Sequence, residues 1–435
     1  MAHYRILNIT SGVDKTIVLP ALKLTSQCSI PSFQTQLDCY IQNRFYYAHA
    51  YSKEFETLGH DSVVVIPDFE VAQKQWAKEH GLKYVDENWI ADILFAQIVA
   101  IKPDIVFFHG TFWTRPGLFA SDGSQDNLIQ ILKSQFTFIK RIAIFSGYPS
   151  EADRIRGADI FFSSPPGVLE NYKTKGLKPY LLYHAFDSSV TQSLNRGDLS
   201  QQNFPFTFIG SVRAPEARYF AIRRLLDHTN LQAWTNEPAE HKHKRIGKTD
   251  SPLKEQFSVA LRKTVNPLHE YTLFHLTRSR FVPNVIKKRV LEEVLHEKCS
   301  TSRGAPSLCD LYTGSIHLPV YGLELYNLLR SSLVTFNLHA DVSYGSVGNL
   351  RMFEATGMGA CLLTDSGNNM NDLFTPDHEV VTYQSIDEAI EKIAFLLENP
   401  EKAKMIADSG RARTLKDHTV SKRCLQIDEI FQKSL

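Results

Sequence analysis

Short apolar runs that alternate with amphipathic stretches restrict the fold of this chain more than any other feature. In the first half, strands are predicted at Tyr4–Ile9, Ser62–Ile66, Asp104–Phe108, Arg141–Phe145, Asp159–Ser163 and Tyr180–Tyr183. Helices are predicted between them at Ala48–Leu58, Trp89–Ile101, Leu128–Phe138 and Val168–Lys175. An apolar run bounded by turn residues is typical of a strand that is covered on both faces. Its alternation with helices predicts an open, mainly parallel sheet of the doubly wound kind.

The same alternation begins again in the second half, with strands predicted at Phe206–Gly210, Leu231–Trp234, Leu333–Leu338, Cys361–Thr364 and Glu379–Tyr383. A chain of 435 residues is also too long for one ordinary core. We therefore predict an α/β protein with two doubly wound, Rossmann-like domains that face each other across a cleft. The predicted divisions are an N-terminal domain at 1–190, a linker at 191–204, a C-terminal domain at 205–417 with an insertion at 237–312, and a helix at 418–435 that could pack back on the N-terminal domain.

The composition excludes several classes of protein. A hydrophobic fraction of 43%, a charged fraction of 22% and a net charge of +1 describe a globular chain without a general attraction to nucleic acid or anionic membranes. The six cysteines form no C-x-x-C pair, which favours reduced thiols over disulfides or a zinc site. No apolar run approaches the ~20 residues that span a bilayer. We expect a cytoplasmic protein without metal or cofactor, with at most peripheral contact at the inner face of the membrane.

One loop and the helix after it have the features of a phosphate site. The small-residue loop that begins at Ser343 leads into a short amphipathic helix, which ends before the strand at Cys361. Free backbone N–H groups and the helix dipole attract an anion to such a helix N-terminus. Glu354 lies about one and a half turns beyond Asn349, within reach of a group attached to the phosphate. A nucleoside diphosphate is the simplest ligand of this shape.

Several of these residues also have structural interpretations. Asn349 is a favoured helix N-cap, which is compatible with ligand contact. Arg351 is either a phosphate ligand or the partner of a salt bridge, and Glu354 could be a plain surface glutamate. The cleft between two doubly wound sheets lies at the carboxyl ends of their strands. Other candidates there are Ser146, Gly210, His339 and Asp365.

The run from Gly348 to Glu354, with Gly359 after it, resembles the N-x-R-x-F-E…G signature of glycosyltransferases related to the spore-maturation protein CgeB, within the group 1 glycosyltransferases. Further segments that resemble this family are Tyr321–Arg330, Phe336–His339, Leu373-Phe374, Asp408–Arg411, His418-Thr419 and Arg423. The resemblance is clearest over 315–425, extends less clearly to 204–235, and concerns only the architecture before 190.

The resemblance implies the GT-B fold, with a nucleotide-sugar donor held mainly by the C-terminal domain. Glu354 matches the glutamate that accepts hydrogen bonds from the donor ribose, and Gly348 and Asn349 match the loop whose amides face the diphosphate. Arg218 matches a basic residue that neutralises the leaving diphosphate, with Arg213 as the nearby alternative. Such folds usually need no metal for this purpose. The donor-binding candidates are Gly210, Arg213, Arg218, Ser346, Val347, Gly348, Asn349, Arg351 and Glu354.

One position departs from the family pattern. Many retaining GT-B enzymes carry a second glutamate eight positions before the ribose glutamate, where this chain has Ser346. For an inverting reaction, an imidazole that titrates near neutral pH is a suitable base. His109 is the first candidate for it, Asp14 and Asp38 are alternatives, and His184 lies at the hinge.

We therefore predict a glycosyltransferase that moves a sugar from a nucleotide-diphosphate or nucleotide-monophosphate donor to a glycan, a lipid-linked glycan or a protein. A nucleotide-sugar epimerase of GT-B-like fold is one alternative, and a non-catalytic protein that binds a nucleotide or glycan is another.

Overall fold

The computed structural model describes residues 2–11, 31–45, 48–120, 124–147, 154–194, 204–212, 217–236, 306–339 and 343–435. Two sequence-based candidates, Asp14 and Arg213, lie outside these ranges, as does most of the predicted insertion at 237–312. Within them, no helix is both long enough and apolar enough to cross a membrane.

The N-terminal domain is built on a parallel sheet of six strands, in the order β2-β1-β3-β4-β5-β6. The strands are β1 (Arg5–Ile9), β2 (Asp61–Val65), β3 (Ile105–His109), β4 (Arg141–Phe145), β5 (Ile160–Ser163) and β6 (Tyr180–Leu181). The helices are α1 (Phe33–Gln42), α2 (Ala48–Thr57), α3 (Glu70–Glu79), α4 (Trp89–Ile101), α5 (Leu128–Gln135), α6 (Pro166–Thr174) and α7 (Val190–Ser193). The strand order reverses between β1 and β3, which is where doubly wound sheets form a ligand crevice.

The C-terminal domain has a second parallel sheet, in the order β12-β11-β10-β7-β8-β9. Its strands are β7 (Phe204–Ile209), β8 (Gln232–Trp234), β9 (Ile316–His317), β10 (Ser332–Asn337), β11 (Cys361–Asp365) and β12 (Val381–Tyr383). Its helices are α8 (Ala217–His228), α9 (Leu308–Leu311), α10 (Gly322–Arg330), α11 (Leu350–Met358), α12 (Met370–Leu373), α13 (Ile386–Glu398) and α14 (Pro400–Asp417). This is the Rossmann strand order, with its switch point between β7 and β10. The predicted fold class is confirmed.

Both sheets are covered on their two faces, as the continuous apolar runs predicted. In β1, Leu7 and Ile9 pack into one core cluster while Ile6 packs into the cluster on the opposite face. In β11, Leu363 and Leu362 are divided between two clusters in the same way. Successive residues of a strand point to opposite faces, so every position of these strands must be apolar or internally satisfied.

The sequence analysis missed α1 and α3. The buried residues of α1 are Gln36, Leu37 and Tyr40, and those of α3 are Ala72, Gln73 and Ala77. In α3, small and amide side chains supply these contacts, so the apolar periodicity that reveals a helix is weak there. In α1, the residues Phe33, Leu37, Tyr40 and Ile41 recur at helical spacing and pack in one cluster, so this helix was missed although its pattern was present.

The final helix, α15 (Val420–Ser434), leaves the C-terminal domain and packs against the N-terminal one. The Tyr4 hydroxyl donates to Asp428 Oδ1 at 2.7 Å, and Cys424 lies against the carbonyl of Tyr51. The two connections between the domains are also hydrogen-bonded to each other. The Phe186 amide donates to the carbonyl of His418, and the Val420 amide donates to the carbonyl of Phe186. The chain therefore crosses between the domains twice, at neighbouring positions.

Candidate active site

The loop before α11 and the first turn of this helix form the centre of the candidate site. The Asn349 side chain accepts from the Met352 amide and so caps the helix, as the sequence suggested. Its amide group also exchanges two hydrogen bonds with Asn337, the last residue of β10. The cap is thereby fixed to the carboxyl end of a central strand, next to the switch point of the sheet.

The His339 side chain fixes the loop through hydrogen bonds. Its Nε2 accepts from the amides of Gly348 at 3.0 Å and Asn349 at 3.2 Å. Its Nδ1 lies 2.8 Å from Asp365 Oδ1, at the end of β11. An imidazole that accepts two N–H groups at Nε2 must carry its proton on Nδ1, and Asp365 accepts that proton's hydrogen bond. This buried pair positions the loop.

The amides of 346–349, which the sequence assigned to the phosphate, therefore have acceptors within the protein. Beyond the two bonded to His339, the Val347 amide donates to Asn369 Oδ1 at 2.8 Å, and the Ser346 amide donates to the Ser343 carbonyl. The amides of Leu350 and Arg351 come next, in the first helical turn, and they have no acceptor among the described residues. First-turn amides of this kind are the usual anion ligands.

Arg218, on α8, lies at the same switch point. Its guanidinium donates to the carbonyl of Ser211, just after β7, and to that of Leu338, just after β10, at 3.1 and 2.7 Å. Its Nε is buried and has no hydrogen-bond partner among the described residues. Within those residues no carboxylate lies at ion-pair distance from it. The result is a cation, anchored by two carbonyls, beside the N-terminus of α11.

Glu354 is buried on α11, and its two carboxylate oxygens have different partners. Arg351 Nη1 donates to Oε2 at 2.7 Å, and the Tyr326 hydroxyl donates to Oε1 at 3.3 Å. Burial and the charge of Glu354 raise the pKa of Tyr326, which keeps the hydroxyl protonated. Arg351 Nε also donates to the carbonyl of Ile209 in β7. The alternative left open for Arg351 is thus resolved here as a salt bridge.

The N-terminal domain contacts this loop directly. The amide of Gly167, at the start of α6, donates to Ser346 Oγ at 3.0 Å. A Cβ on Gly167 would lie 2.6 Å from the carbonyl oxygen of Ser343, so the approach requires a glycine. The Tyr183 hydroxyl likewise accepts from Asn369 Nδ2 at 3.1 Å. Both sheets therefore direct the carboxyl ends of their strands to one cleft.

The comparisons with known proteins agree with this architecture. Residues 306–429 match the family described as Glycosyl transferase-like. HepE of Anabaena, solved in complex with UDP-glucose, superposes with a TM-score of 0.52 at 10% identity, over 99% of this chain and 100% of that chain. An alpha-glucosyltransferase, solved in complex with UDP-glucose and DNA containing an abasic site, superposes with a TM-score of 0.54 at 12% identity, over 100% of both chains. No curated protein matches the sequence.

The chain has the GT-B fold, and its residues 306–429 match a glycosyl transferase-like family. The family match covers α11 and its loop, the segment that carried the resemblance in the sequence, and confirms that resemblance. At 10–12% identity the two solved structures establish the shared fold alone.

The N-terminal domain supplied the candidates for a catalytic base. His109 ends β3, is buried, and lies 3.0 Å from Asn8 Oδ1 through its Nε2. Burial lowers the pKa of His109 to about 3. Burial and the nearby charge of Arg423 lower the pKa of His184 to about 4. A general base works best with a pKa near the operating pH, so the burial of these histidines disfavours both.

The remaining candidates lie where the strand ends place them. Ser146 is buried after β4, and Gly210 follows β7, where its amide donates to the carbonyl of Trp234. Asp38 lies on the exposed side of α1 and accepts from Gln34. Within the described residues, no group of three or more His, Cys, Asp or Glu side chains could hold a metal ion.

Sequence reasoning placed Asn337 at a strand end of the cleft, and the structure shows that it fixes the Asn349 cap. It missed three contributors: Tyr326, which bonds Glu354; Asn369, which fixes the loop; and Gly167, which meets the loop from the other domain. These three are far from the motif along the chain, and only the packing of α10, α12 and α6 brings them to it.

Proposed function

We propose that this chain is a glycosyltransferase that takes its sugar from a nucleotide-diphosphate donor bound at the switch point between β7 and β10. One observation carries the proposal. An anchored cation, two acceptor-free helix amides and a buried carboxylate all meet the carboxyl ends of the same two strands. A nucleoside diphosphate combines negative charge with ribose hydroxyls, and these three groups complement both parts.

The diphosphate occupies the space between Arg218 and the first turn of α11. Arg218 supplies the positive charge of its guanidinium, and Leu350 and Arg351 offer backbone N–H groups that have no acceptor within the described part of the chain. The negative charge on the diphosphate increases as the bond to the sugar breaks, and donors that are already positioned stabilise it most effectively. This arrangement supports a leaving group stabilised by the protein without a metal ion.

The ribose hydroxyls donate to Glu354. A carboxylate has about four acceptor sites, and the contacts with Arg351 and Tyr326 occupy two of them. Capacity remains for two hydroxyl groups. The salt bridge to Arg351 fixes the orientation of the carboxylate.

UDP-glucose is the first donor to test, because two solved proteins of the same fold hold it. In the transfer, an acceptor hydroxyl oxygen forms a bond to the anomeric carbon while the bond from that carbon to the phosphate oxygen breaks. The nucleoside diphosphate leaves with the electron pair. The hydroxyl proton goes to a base on the N-terminal side of the cleft, for which Asp14 is the candidate that follows β1. The acceptor is a glycan, a lipid-linked glycan or a protein.

The donor assignment is tested by a thermal-shift screen of the full chain against UDP, ADP, GDP and their glucose conjugates. Binding to the folded state alone stabilises it by about 2.7 kcal/mol at a hundredfold excess over Kd. Uridine, which lacks phosphate, is the control and should have little effect. Slow release of UDP from UDP-glucose would distinguish an enzyme from a binding protein. If no nucleoside diphosphate raises the melting temperature, the donor site is refuted.

A further inference from the structure

The loop that follows β3, residues 110–120, presents an unusual surface at the switch point of the N-terminal sheet. It is firmly anchored: the Trp113 indole N–H donates to the carbonyl of Thr10 at 2.9 Å, and Thr114 is fully buried with its hydroxyl on the carbonyl of Thr111. Phe112 lies between these anchors, yet 41% of it is exposed. A large aromatic side chain on a fixed loop at a ligand crevice is therefore left open to solvent.

Phe112 is paired with a cation. The guanidinium carbon of Arg115 lies 4.6 Å from the centroid of the Phe112 ring, and Trp113 meets that ring edge-on at 4.7 Å. Arg115 is itself exposed, and no carboxylate among the described residues lies at ion-pair distance from it. An exposed contact of this kind contributes about 0.5–1 kcal/mol, so it favours a guanidinium position beside the ring while the side chain stays open to solvent.

The loop leaves β3 at the carboxyl edge of the sheet, which is the edge that meets the proposed donor site. Gly167, four residues after β5 ends, touches Ser346 in the donor loop. β3 lies two strands from β5 at the same edge of the sheet, which corresponds to about 10 Å at the usual strand spacing. A sugar resting on Phe112 would thus lie in the same cleft as the donor, on the side of the N-terminal domain.

We propose that Phe112 and Arg115 form an acceptor subsite for a sugar that carries a negatively charged substituent, either a carboxylate or a phosphate. The C–H groups of a sugar ring carry partial positive charge and pack against the negative face of an aromatic ring. A guanidinium binds carboxylate and phosphate in a planar, two-pronged geometry. This subsite rests on the proposed function, since it needs a donor across the cleft, but it can be measured without transfer.

The test is ligand-observed NMR on the full chain, saturated with UDP so that the donor site is blocked. The probes are glucuronate, glucose 6-phosphate, glucose and inorganic phosphate. We expect both charged sugars to bind more tightly than glucose and than phosphate alone. Arg115→Gln should weaken glucuronate roughly tenfold, the loss expected for one charge-assisted pair. Phe112→Leu should weaken both charged sugars. Arg411→Gln, an exposed arginine on α14, is the matched control and should change nothing.

Each other outcome contradicts the subsite. Equal binding of glucose and glucuronate would mean that the charged substituent does not contribute to affinity. If inorganic phosphate bound as tightly as glucose 6-phosphate, the subsite would hold an adventitious ion only. Absence of binding by either charged sugar, or an unchanged affinity in Arg115→Gln, overturns the proposal. The UDP titration that precedes the probes is a separate readout: failure there refutes the donor site, whereas normal UDP binding with no sugar binding refutes only the acceptor subsite.

Discussion

Replacing Glu354 with glutamine tests the ribose contact at its source. The substitution keeps the size of the side chain and its ability to accept from Tyr326, but removes the negative charge. The side chains of Arg351 and Glu354 are only 16% and 9% exposed, so water does little to screen this change. Hydrogen bonds to a charged group contribute about 1.5–3 kcal/mol, and neutral ones about 0.5–1.5 kcal/mol.

Two ribose hydroxyls that lose a charged acceptor should therefore cost about 1–3 kcal/mol in binding, which is about a 5- to 150-fold rise in the Kd for UDP. Calorimetric titration measures this directly. Pyrophosphate serves as the matched ligand, because it carries the same charged groups without a ribose, and its Kd should stay nearly constant. Glu391→Gln, an exposed position on α13, is the matched variant.

Deoxygenated nucleotides sharpen the test. If Glu354 accepts from a ribose hydroxyl, 2′-deoxy-UDP or 3′-deoxy-UDP should bind the natural chain more weakly than UDP, and the variant should distinguish them less. Groups in direct contact show such non-additivity, whereas separate groups do not. The assignment of Glu354 would be refuted by an unchanged Kd for UDP, by an equal loss for pyrophosphate, or by strictly additive effects.

Four further variants probe the surrounding structure. Arg218→Gln should raise the Kd of UDP and pyrophosphate alike, by about tenfold at low salt and less at high salt; calorimetry at two ionic strengths would contradict this if pyrophosphate were unaffected. His339→Ala leaves two buried amides without their acceptor and should lower the free energy of unfolding by about 2–4 kcal/mol, measured by urea denaturation; a neutral effect would mean that the loop does not depend on the imidazole. Gly167→Ala places a Cβ 2.6 Å from the Ser343 carbonyl oxygen, so the two domains should no longer approach as closely. Small-angle scattering should then show a larger radius of gyration. An unchanged radius, together with normal turnover of UDP-glucose, would argue against a required close contact. His109 has a pKa of about 3 when folded against 6.5 when unfolded, so its burial destabilises the fold increasingly below pH 6.5, by about 2 kcal/mol at pH 5; His109→Gln should remove that component from the difference in urea unfolding between pH 7 and pH 5, and an identical difference would refute it.

The sequence was sufficient to predict the architecture, because a doubly wound sheet produces a local alternation of apolar strands and amphipathic helices. β4 and α4 were predicted with their observed bounds, and most other strands within one or two residues. A central strand must be apolar on both faces, and a covering helix needs a continuous apolar stripe. α3 was missed because its buried side contains alanine and glutamine, so the hydrophobic period is weak there, whereas α1 was missed although its apolar residues recur at helical spacing.

The donor motif was visible in the sequence for a similar reason. A glycine-containing loop, an N-capping asparagine and a glutamate at a fixed helical spacing lie within a dozen residues, and local geometry relates them. The direction of the individual amides was not local information. Whether the Gly348 amide faces a ligand or His339 depends on where the imidazole is placed after β10, nine residues earlier, and on the Asp365 carboxylate that orients the ring.

By itself, then, the sequence determined two α/β domains and the helix at which an anion would bind, because backbone periodicity and capping are short-range. Only the tertiary structure decided which groups are left for a ligand. It paired the amides of Gly348 and Asn349 with His339 and paired Glu354 with Arg351 and Tyr326, and among the described residues it left the Arg218 Nε without a partner. These outcomes depend on which side chains from distant segments form hydrogen bonds to the buried polar groups of the site. A local sequence pattern does not contain that information.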